Sequence, residues 1–287
     1  MSLLSKGFIA ALDQSGGGSK KALELYGFEN IKDEDIFDLM HDMRVRIIKS
    51  PSFNKEKISG TILFEEEIFK EIDKTNTIKF INDKGIKTFV KIDKGLEETN
   101  NGVQLMKNIN NLDELLSNLK KLNAFGTKTR SLIHQNNEKG IEEIIKQQFA
   151  IAKKVWSYGL VPIIEPEIDI QATNKYECEI ILKKIINKYL LKNKDMKVIF
   201  KFSLPSIPNF YEDYLKNDNV LAVLALSGGY NLNKACSLLS KNKGLIASFC
   251  RALLEGLKFE QTSREFNKIL DENIDKIYKA SVHKQSD

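Results

Sequence analysis

Residues 160–168 read LVPIIEPEI, and residues 197–203 read KVIFKFS. Each is a short run rich in apolar and β-branched or aromatic side chains, the pattern of a parallel strand that is buried on both faces. The segment before the first run, 139–156, carries apolar residues at helical intervals, namely Ile141, Ile144, Ile145, Phe149, Ala152 and Val155. Helical segments that alternate with buried strands predict βα units and a parallel sheet.

The same alternation extends along the chain in both directions and yields eight candidate strands. They lie near 7–13, 58–65, 87–93, 122–133, 160–168, 197–203, 220–227 and 244–251. Each interval can hold a helix, the first can hold two, near 19–26 and 34–48, and the last helix begins with the capping-box pattern Thr262 to Glu265. Because no linker divides the chain, we expect a single domain over 1–287 folded as a (β/α)8 TIM barrel. An open doubly wound sheet is the alternative fold.

Composition narrows the classes of function. The chain is 42% hydrophobic and 29% charged, typical of a globular protein, and no apolar run approaches the roughly 20 residues that span a bilayer. Its start, MSLLSKGFIAALDQ, lacks the regions of a signal peptide, so we expect a cytoplasmic protein without membrane partners. The net charge of +5 favours anionic partners, but the basic residues are scattered among acids, which favours small phosphorylated substrates over nucleic acid.

The residues available do not favour metal chemistry. Three cysteines, Cys178, Cys236 and Cys250, show no CxxC spacing, and the three histidines form no HExxH pattern. We therefore expect reduced thiols, no metal site and no cofactor.

Charged residues stand near the carboxyl ends of five candidate strands, where burial makes an unpaired charge costly. They are Asp13, Lys91 with Asp93, Lys128 with Arg130, Glu165 with Glu167, and Lys201. Period-two spacing places each pair on one face of its strand, so in a barrel all of them can point into one mouth. The alternative is an ion-pair network in which opposite charges satisfy one another rather than a ligand.

Lys201 is the strongest candidate for a nucleophile, because its amine interrupts the apolar run VIFKFS. A free lysine has a pKa near 10.4, and only the unprotonated amine attacks. Desolvation and a neighbouring cation, for which Lys128 is the candidate, both lower the pKa of such an amine. Glu165 and Asp13 would supply the proton transfers of Schiff-base chemistry, with Lys91 and Lys128 as rival amines.

Two further segments indicate phosphate binding. The turn 13–20, DQSGGGSK, leads into a helix whose free N–H groups can receive an anion, although it matches neither a P-loop nor a dinucleotide motif. Segments 226–229 and 248–251 follow strands seven and eight, which is the recurrent phosphate site of this barrel, and Arg251 adds a planar cation. Two anion sites would suit a bisphosphate.

On these residues the chain resembles class I fructose-bisphosphate aldolases, especially the short bacterial form. The similar segments occur in family order: ALDQSGGG, MRVRIIKSPSF, GTILFEEE, KTFVKIDKGL, AFGTKTRS, LVPIIEPEID, VIFKFSLP, LALSGGY and SFCRALLEGL. The resemblance implies a (β/α)8 barrel, no metal, and reversible cleavage of fructose 1,6-bisphosphate to dihydroxyacetone phosphate and glyceraldehyde 3-phosphate. It leaves the oligomeric state open.

The resemblance also implies roles for individual residues. It makes Lys201 the imine-forming lysine, Glu165 the main acid/base and Glu167 a residue that orients its neighbours. Asp13, Lys91 and Lys128 line the catalytic pocket, and Ser15 and Arg130 lie near the far end of the substrate. The phosphate next to the keto carbon is expected to contact Ser227, Gly228, Ser248 and Arg251.

Three departures from the animal members accompany the resemblance. Cys250 replaces a glycine, Gln14 replaces an acid, and the sequence shows no long tail ending in tyrosine, so Glu165 is the candidate for enamine proton exchange. The alternatives are another Schiff-base aldolase, such as a transaldolase or a deoxyribose-phosphate aldolase, and a non-catalytic phosphosugar-binding barrel.

Overall fold

Eight parallel strands follow one another in chain order around one sheet of the computed structural model, which describes residues 7–285. They are β1 (Phe8–Leu12), β2 (Ile58–Phe64), β3 (Lys87–Lys91), β4 (Gly126–Ile133), β5 (Val161–Ile168), β6 (Val198–Ser203), β7 (Val220–Leu226) and β8 (Ile246–Ala247). The Ala11 amide donates to the Phe249 carbonyl at 3.2 Å, which joins β1 to the segment that follows β8. The predicted barrel is confirmed, and the open doubly wound sheet is wrong.

Helices occupy the intervals between these strands. They are α1 (Gly17–Tyr26), α2 (Ile36–Lys49), α3 (Thr77–Asp83), α4 (Leu112–Lys121), α5 (Glu138–Ser157), α6 (Lys175–Lys192), α7 (Leu232–Ser240) and α8 (Ser263–Val282). The predicted capping box at the start of α8 is confirmed, because the Thr262 hydroxyl accepts from the Glu265 amide and the Glu265 carboxylate accepts from the Thr262 amide. No helix within residues 7–285 is long and apolar enough to cross a membrane.

Some short elements were not predicted. A hairpin pairs Glu71–Ile72 with Thr75–Asn76, and Val103–Gln104 lies antiparallel to the end of β4. The prediction that all of 1–287 forms one domain stays a prediction; residues 1–6, on which part of the signal-peptide argument rests, and 286–287 lie outside the described chain.

The barrel interior is built in layers that follow from the period of two along each strand. Its lower layers are apolar and include Ile9, Ile62, Phe89, Ile163 and Ile199. The ring of Phe89 needs space there, and a Cβ at Gly60 or Gly126 would lie 3.3 or 2.9 Å from it.

Alternate strand residues point outward instead and pack against the helices, as Phe200 and Phe202 of β6 do. Two residues after an apolar interior position, the same strand face carries a charge: Ile163 is followed by Glu165, and Ile199 by Lys201. The fold therefore stacks charged side chains on an apolar floor at the carboxyl ends of the strands.

Candidate active site

One cleft of about 470 Å³ collects the twelve residues for which the resemblance implies a role, whereas Asp93, also named from the sequence, lies outside its lining. Its lining includes Asp13, Ser15, Lys91, Lys128, Arg130, Glu165, Glu167, Lys201, Ser227, Gly228, Ser248 and Arg251. These residues come from seven strands or the loops directly after them, so the barrel topology brings together positions that are far apart in the chain. Residues 14, 17, 18, 21, 22, 25, 226 and 250 complete the lining.

Four charged side chains form the centre of the cleft. Glu165 binds two amines at once: its Oε1 lies 3.0 Å from Lys201 Nζ, and its Oε2 lies 2.8 Å from Lys128 Nζ. Lys128 Nζ lies a further 2.6 Å from Asp13 Oδ2. None of the four side chains is more than 8% exposed, so they interact in a medium of low polarity where charge pairing is strong.

The charges of this centre fix the ionisation of three of its members. Burial by itself would raise the pKa of the Asp13 and Glu165 carboxyls, but the positive charges of Lys128 and Lys201 outweigh it and hold both pKa values below the ordinary range. Burial likewise would lower the pKa of Lys128, and the charges of Asp13 and Glu165 raise it above the ordinary value instead. At neutral pH Lys128 is a cation, and its two partners are carboxylates.

A second group of ion pairs lies beside the centre, toward the ends of β3, β4 and β5. Lys91 Nζ lies 2.7 Å from Asp93 Oδ1, and Arg130 Nε lies 2.5 Å from Glu167 Oε2. Asp93 also accepts from the backbone amide of Arg130 at 3.2 Å, which ties the two pairs together. The Arg130 side chain is 31% exposed, so this group forms the open side of the cleft.

The opposite side carries groups without internal partners. Within residues 7–285, the Ser248 hydroxyl is buried and has no hydrogen-bond partner, and Arg251 has no ion-pair partner. Gly228 has a φ of +61°, and a Cβ there would lie 2.5 Å from the Ile170 side chain, so this position requires glycine. A backbone turn, a hydroxyl and an unpaired guanidinium at the ends of β7 and β8 can receive a phosphate.

The glycine turn after β1 forms another wall of the cleft. Ser15, Gly17 and Gly18 line it, and α1 begins at Gly17 without a side-chain cap. Gly16 has a φ of +53°, in the left-handed region that favours glycine. The first turn of a ten-residue helix therefore opens onto the cleft, and the predicted binding of an anion there stays a prediction.

Two residues that were not predicted from the sequence support the charged centre. Arg44 of α2 is almost fully buried and donates to the carbonyls of Leu12 and Gln14, both at 2.9 Å, so it holds the backbone on either side of Asp13. Its third bond, to Glu67 at 2.6 Å, neutralises its charge. Gln148 of α5 accepts from the backbone amide of Glu165 at 3.1 Å. A buried Arg and Gln on otherwise apolar helix faces were the signal that could have revealed them.

Two of the noted departures, Gln14 and Cys250, also line the cleft. Burial, reinforced by the charge of Asp13, raises the pKa of the Cys250 thiol to about 12. The thiol is therefore protonated at neutral pH and is a poor nucleophile. Among residues 7–285, no three His, Cys, Asp or Glu residues are arranged to hold a metal ion.

Comparisons with known proteins bear on what such a cleft does. The profile of the glycolytic class I fructose-bisphosphate aldolases matches residues 1–207. The class 1 fructose-bisphosphate aldolase of Clostridium acetobutylicum is 51% identical over 282 residues, 96% of each chain. A solved structure of the Plasmodium falciparum fructose-bisphosphate aldolase superposes with a TM-score of 0.80 at 20% identity, over 99% of this chain and 94% of that one. The last similarity supports the barrel fold alone.

Proposed function

The chain belongs to the family of class I fructose-bisphosphate aldolases, and on that premise we propose that Lys201 forms the Schiff base and Glu165 moves the protons. The reaction of the family is the reversible cleavage of fructose 1,6-bisphosphate to dihydroxyacetone phosphate and glyceraldehyde 3-phosphate, and it requires no metal. What remains to be assigned is which side chains of this chain perform it.

The contact between Lys201 and Glu165 is the observation that carries the proposal. An amine must lose a proton before it attacks a carbonyl, and Glu165 Oε1 lies 3.0 Å from Lys201 Nζ, within reach to accept it. The rival amines are held differently. Lys91 pairs with Asp93, and Lys128 lies between two carboxylates, Asp13 and Glu165, whose charges raise its pKa and keep it a cation.

The proposed sequence of steps uses these groups in turn. The neutral Lys201 amine adds to the keto carbon, and one proton passes from its nitrogen to the keto oxygen. Glu165, now protonated, donates its proton to the resulting hydroxyl, which leaves as water. The resulting iminium accepts the electron pair of the C3–C4 bond as that bond breaks, and the C4 hydroxyl gives its proton to the Glu165 carboxylate. Asp13 and Lys128 stand next to Glu165 for this proton traffic, and Glu165 also protonates C3 of the enamine before water releases the product.

The two ends of the substrate would bind on opposite sides of the centre. The phosphate next to the keto carbon is assigned to Ser227, Gly228, Ser248 and Arg251, because this side offers a hydroxyl and a guanidinium without protein partners. The far end is assigned to Ser15 and Arg130, with Glu167 orienting Arg130 through their ion pair. The glycolytic role of the family supports a cytoplasmic location as part of the proposal.

Substrate comparison with matched variants tests the proposal. We expect cleavage of fructose 1,6-bisphosphate to exceed that of fructose 6-phosphate and deoxyribose 5-phosphate, and we expect Lys201→Met to abolish it. Lys197→Met, which changes a half-buried lysine just before the same strand whose amine donates to the Asp218 carbonyl, is the control and should retain activity. Preference for a monophosphate would favour a transaldolase-like enzyme, and binding without turnover would favour a non-catalytic barrel.

A further inference from the structure

The strands that carry Lys201 and Glu165 lose their regular pairing where these two residues lie. The ladder between β5 and β6 consists of two pairs, Ile163 with Ile199 and Ile164 with Phe200. Both strands continue, and the next link is the Ser203 hydroxyl, which accepts from the Ile168 amide at 3.0 Å and donates to its carbonyl. The segment of β5 that carries Glu165 is therefore held by a regular ladder on one side only, the side of β4, where Glu165 lies opposite Arg130.

Gln148 of α5 adds a side-chain hydrogen bond to this segment. Its Oε1 accepts from the Glu165 amide at 3.1 Å and from the Thr129 hydroxyl at 3.1 Å, and the side chain is fully buried. A backbone N–H can only donate, so the atom that faces it must be the amide oxygen. One oxygen thus ties the outer side of β4 to the backbone of the proposed acid/base.

A glutamine is otherwise out of place at this position. Its neighbours on the buried face of α5 are apolar, among them Ile144, Ile145 and Ala152. The Gln148 Nε2 has no acceptor among the described residues, and a buried donor without a partner is unfavourable. A methionine or leucine would avoid that cost, so the acceptor oxygen is the part of the side chain that gives the position its use.

We propose that Gln148 is a positioning residue for Glu165. Its bond anchors the backbone of Glu165 where the strand is paired on its β4 side but no longer with β6, and thereby helps to set both carboxylate contacts, 3.0 Å to Lys201 and 2.8 Å to Lys128. Because the two oxygens bind different amines, a small shift of the backbone changes both distances together. The inference rests on the proposed acid/base role of Glu165.

Gln148→Met tests the proposal, because methionine has a similar length but offers no oxygen to the Glu165 amide. We expect kcat to fall about 10- to 100-fold, the KM for fructose 1,6-bisphosphate to change little, and the pH profile of kcat to shift. The matched control is Gln147→Met in the same helix, since Gln147 bonds only the Met106 backbone, at 3.0 and 2.8 Å. Gln147→Met should lower stability at most, without shifting the pH profile of kcat. A pH shift seen only in Gln148→Met therefore separates positioning from general destabilisation.

Gln148→Glu provides a second variant should the methionine variant fail to fold. A protonated glutamic acid still presents an acceptor oxygen to the Glu165 amide, whereas the carboxylate adds a buried negative charge, and burial raises the pKa of such a carboxyl. Its activity relative to the native chain should therefore be highest at low pH and fall as the pH rises. A constant ratio across the pH range, or an unchanged kcat and pH profile in Gln148→Met, would overturn the proposal.

Glu165→Gln, assayed in the same series, separates the two levels of inference. If Glu165→Gln loses activity and Gln148→Met does not, the positioning role fails while the proposed function stands. If Glu165→Gln keeps full activity, the acid/base assignment fails and the positioning role fails with it. We expect both Glu165→Gln and Gln148→Met to lose activity. Of the two positions changed in α5, only Gln148 should give variants with a shifted pH profile, and Gln147→Met should not.

Discussion

Lys128 is the cation on which the charge balance of the cleft depends, and Lys128→Met is the change that tests this. Its amine lies 2.6 Å from Asp13 and 2.8 Å from Glu165, and none of these side chains is more than 8% exposed. Methionine fills a similar volume without a charge, so two buried carboxylates would share Lys201 alone. The folded variant must then keep an uncompensated buried carboxylate or bind a proton.

The size of the effect follows from linkage. Removing one partner of a buried ion pair lowers the free energy of unfolding by about 3–5 kcal/mol. At low pH the loss is smaller, because the unpaired carboxylate binds a proton and becomes neutral. Each proton bound by the folded state alone lowers stability by about 1.4 kcal/mol per pH unit of increase. The native cluster has no such slope between pH 5 and pH 8, because the pKa values of Asp13 and Glu165 are lowered and that of Lys128 is raised.

Urea unfolding of native and variant protein at pH 5 and at pH 8 measures this difference. We expect the free energy of unfolding of Lys128→Met to be lower than that of the native chain by about 1 kcal/mol at pH 5, and this difference to grow by up to about 4 kcal/mol at pH 8. The variant should also lose at least about 100-fold in kcat. Lys154→Met, which removes an exposed lysine paired with Asp113, should leave the unfolding midpoint unchanged at both pH values. An equal deficit at both pH values would refute the assigned charge balance.

Three further outcomes follow from other parts of the molecule. Arg251→Gln should raise the KM for fructose 1,6-bisphosphate about 10- to 100-fold, since it removes a charge-assisted bond to phosphate. The control Arg264→Gln changes an exposed arginine and should leave the KM unchanged, so equal KM values in the two variants would contradict the assigned phosphate site. Burial lowers the pKa of Lys284 to about 7, so the folded chain binds fewer protons than the unfolded chain between about pH 7 and 10.5, and this group adds stability as the pH rises. The melting temperature of Lys284→Met should lack that rise with pH, and an unchanged pH dependence would refute the assignment. Dialysis against EDTA should leave kcat unchanged, because the family is metal-independent; lost activity restored by a divalent metal would point to a different mechanism.

The fold was predictable because its decisive signals are local. Period two along 160–168 and 197–203 puts Glu165 and Glu167 on one strand face and Lys201 two residues beyond Ile199, and the structure keeps that parity. The helical period of 139–156 likewise lies within the observed α5, Glu138–Ser157.

The departures have a different physical origin. The pattern near 244–251 predicts a long strand, but β8 has two residues, because beyond Ala247 the chain bonds individually to neighbouring strands: the Ser248 amide donates to the Ala225 carbonyl, and the Phe249 carbonyl accepts from Ala11. The alternation of side chains along a strand predicts which face a charged residue lies on, but not which other charged residue it contacts. The sequence indicated Lys128 as a candidate cation beside Lys201 and left an ion-pair network open. The structure shows the charge of Lys128 matched by two carboxylates, with Glu165 between the amines.

Mapping the covalent adduct tests the central assignment most directly. Borohydride added with dihydroxyacetone phosphate reduces the imine, and peptide mass spectrometry then identifies the modified lysine. We expect one adduct, on Lys201, and none in Lys201→Met. An adduct on Lys91 or Lys128 in the native protein, or one that persists in Lys201→Met, would contradict the account.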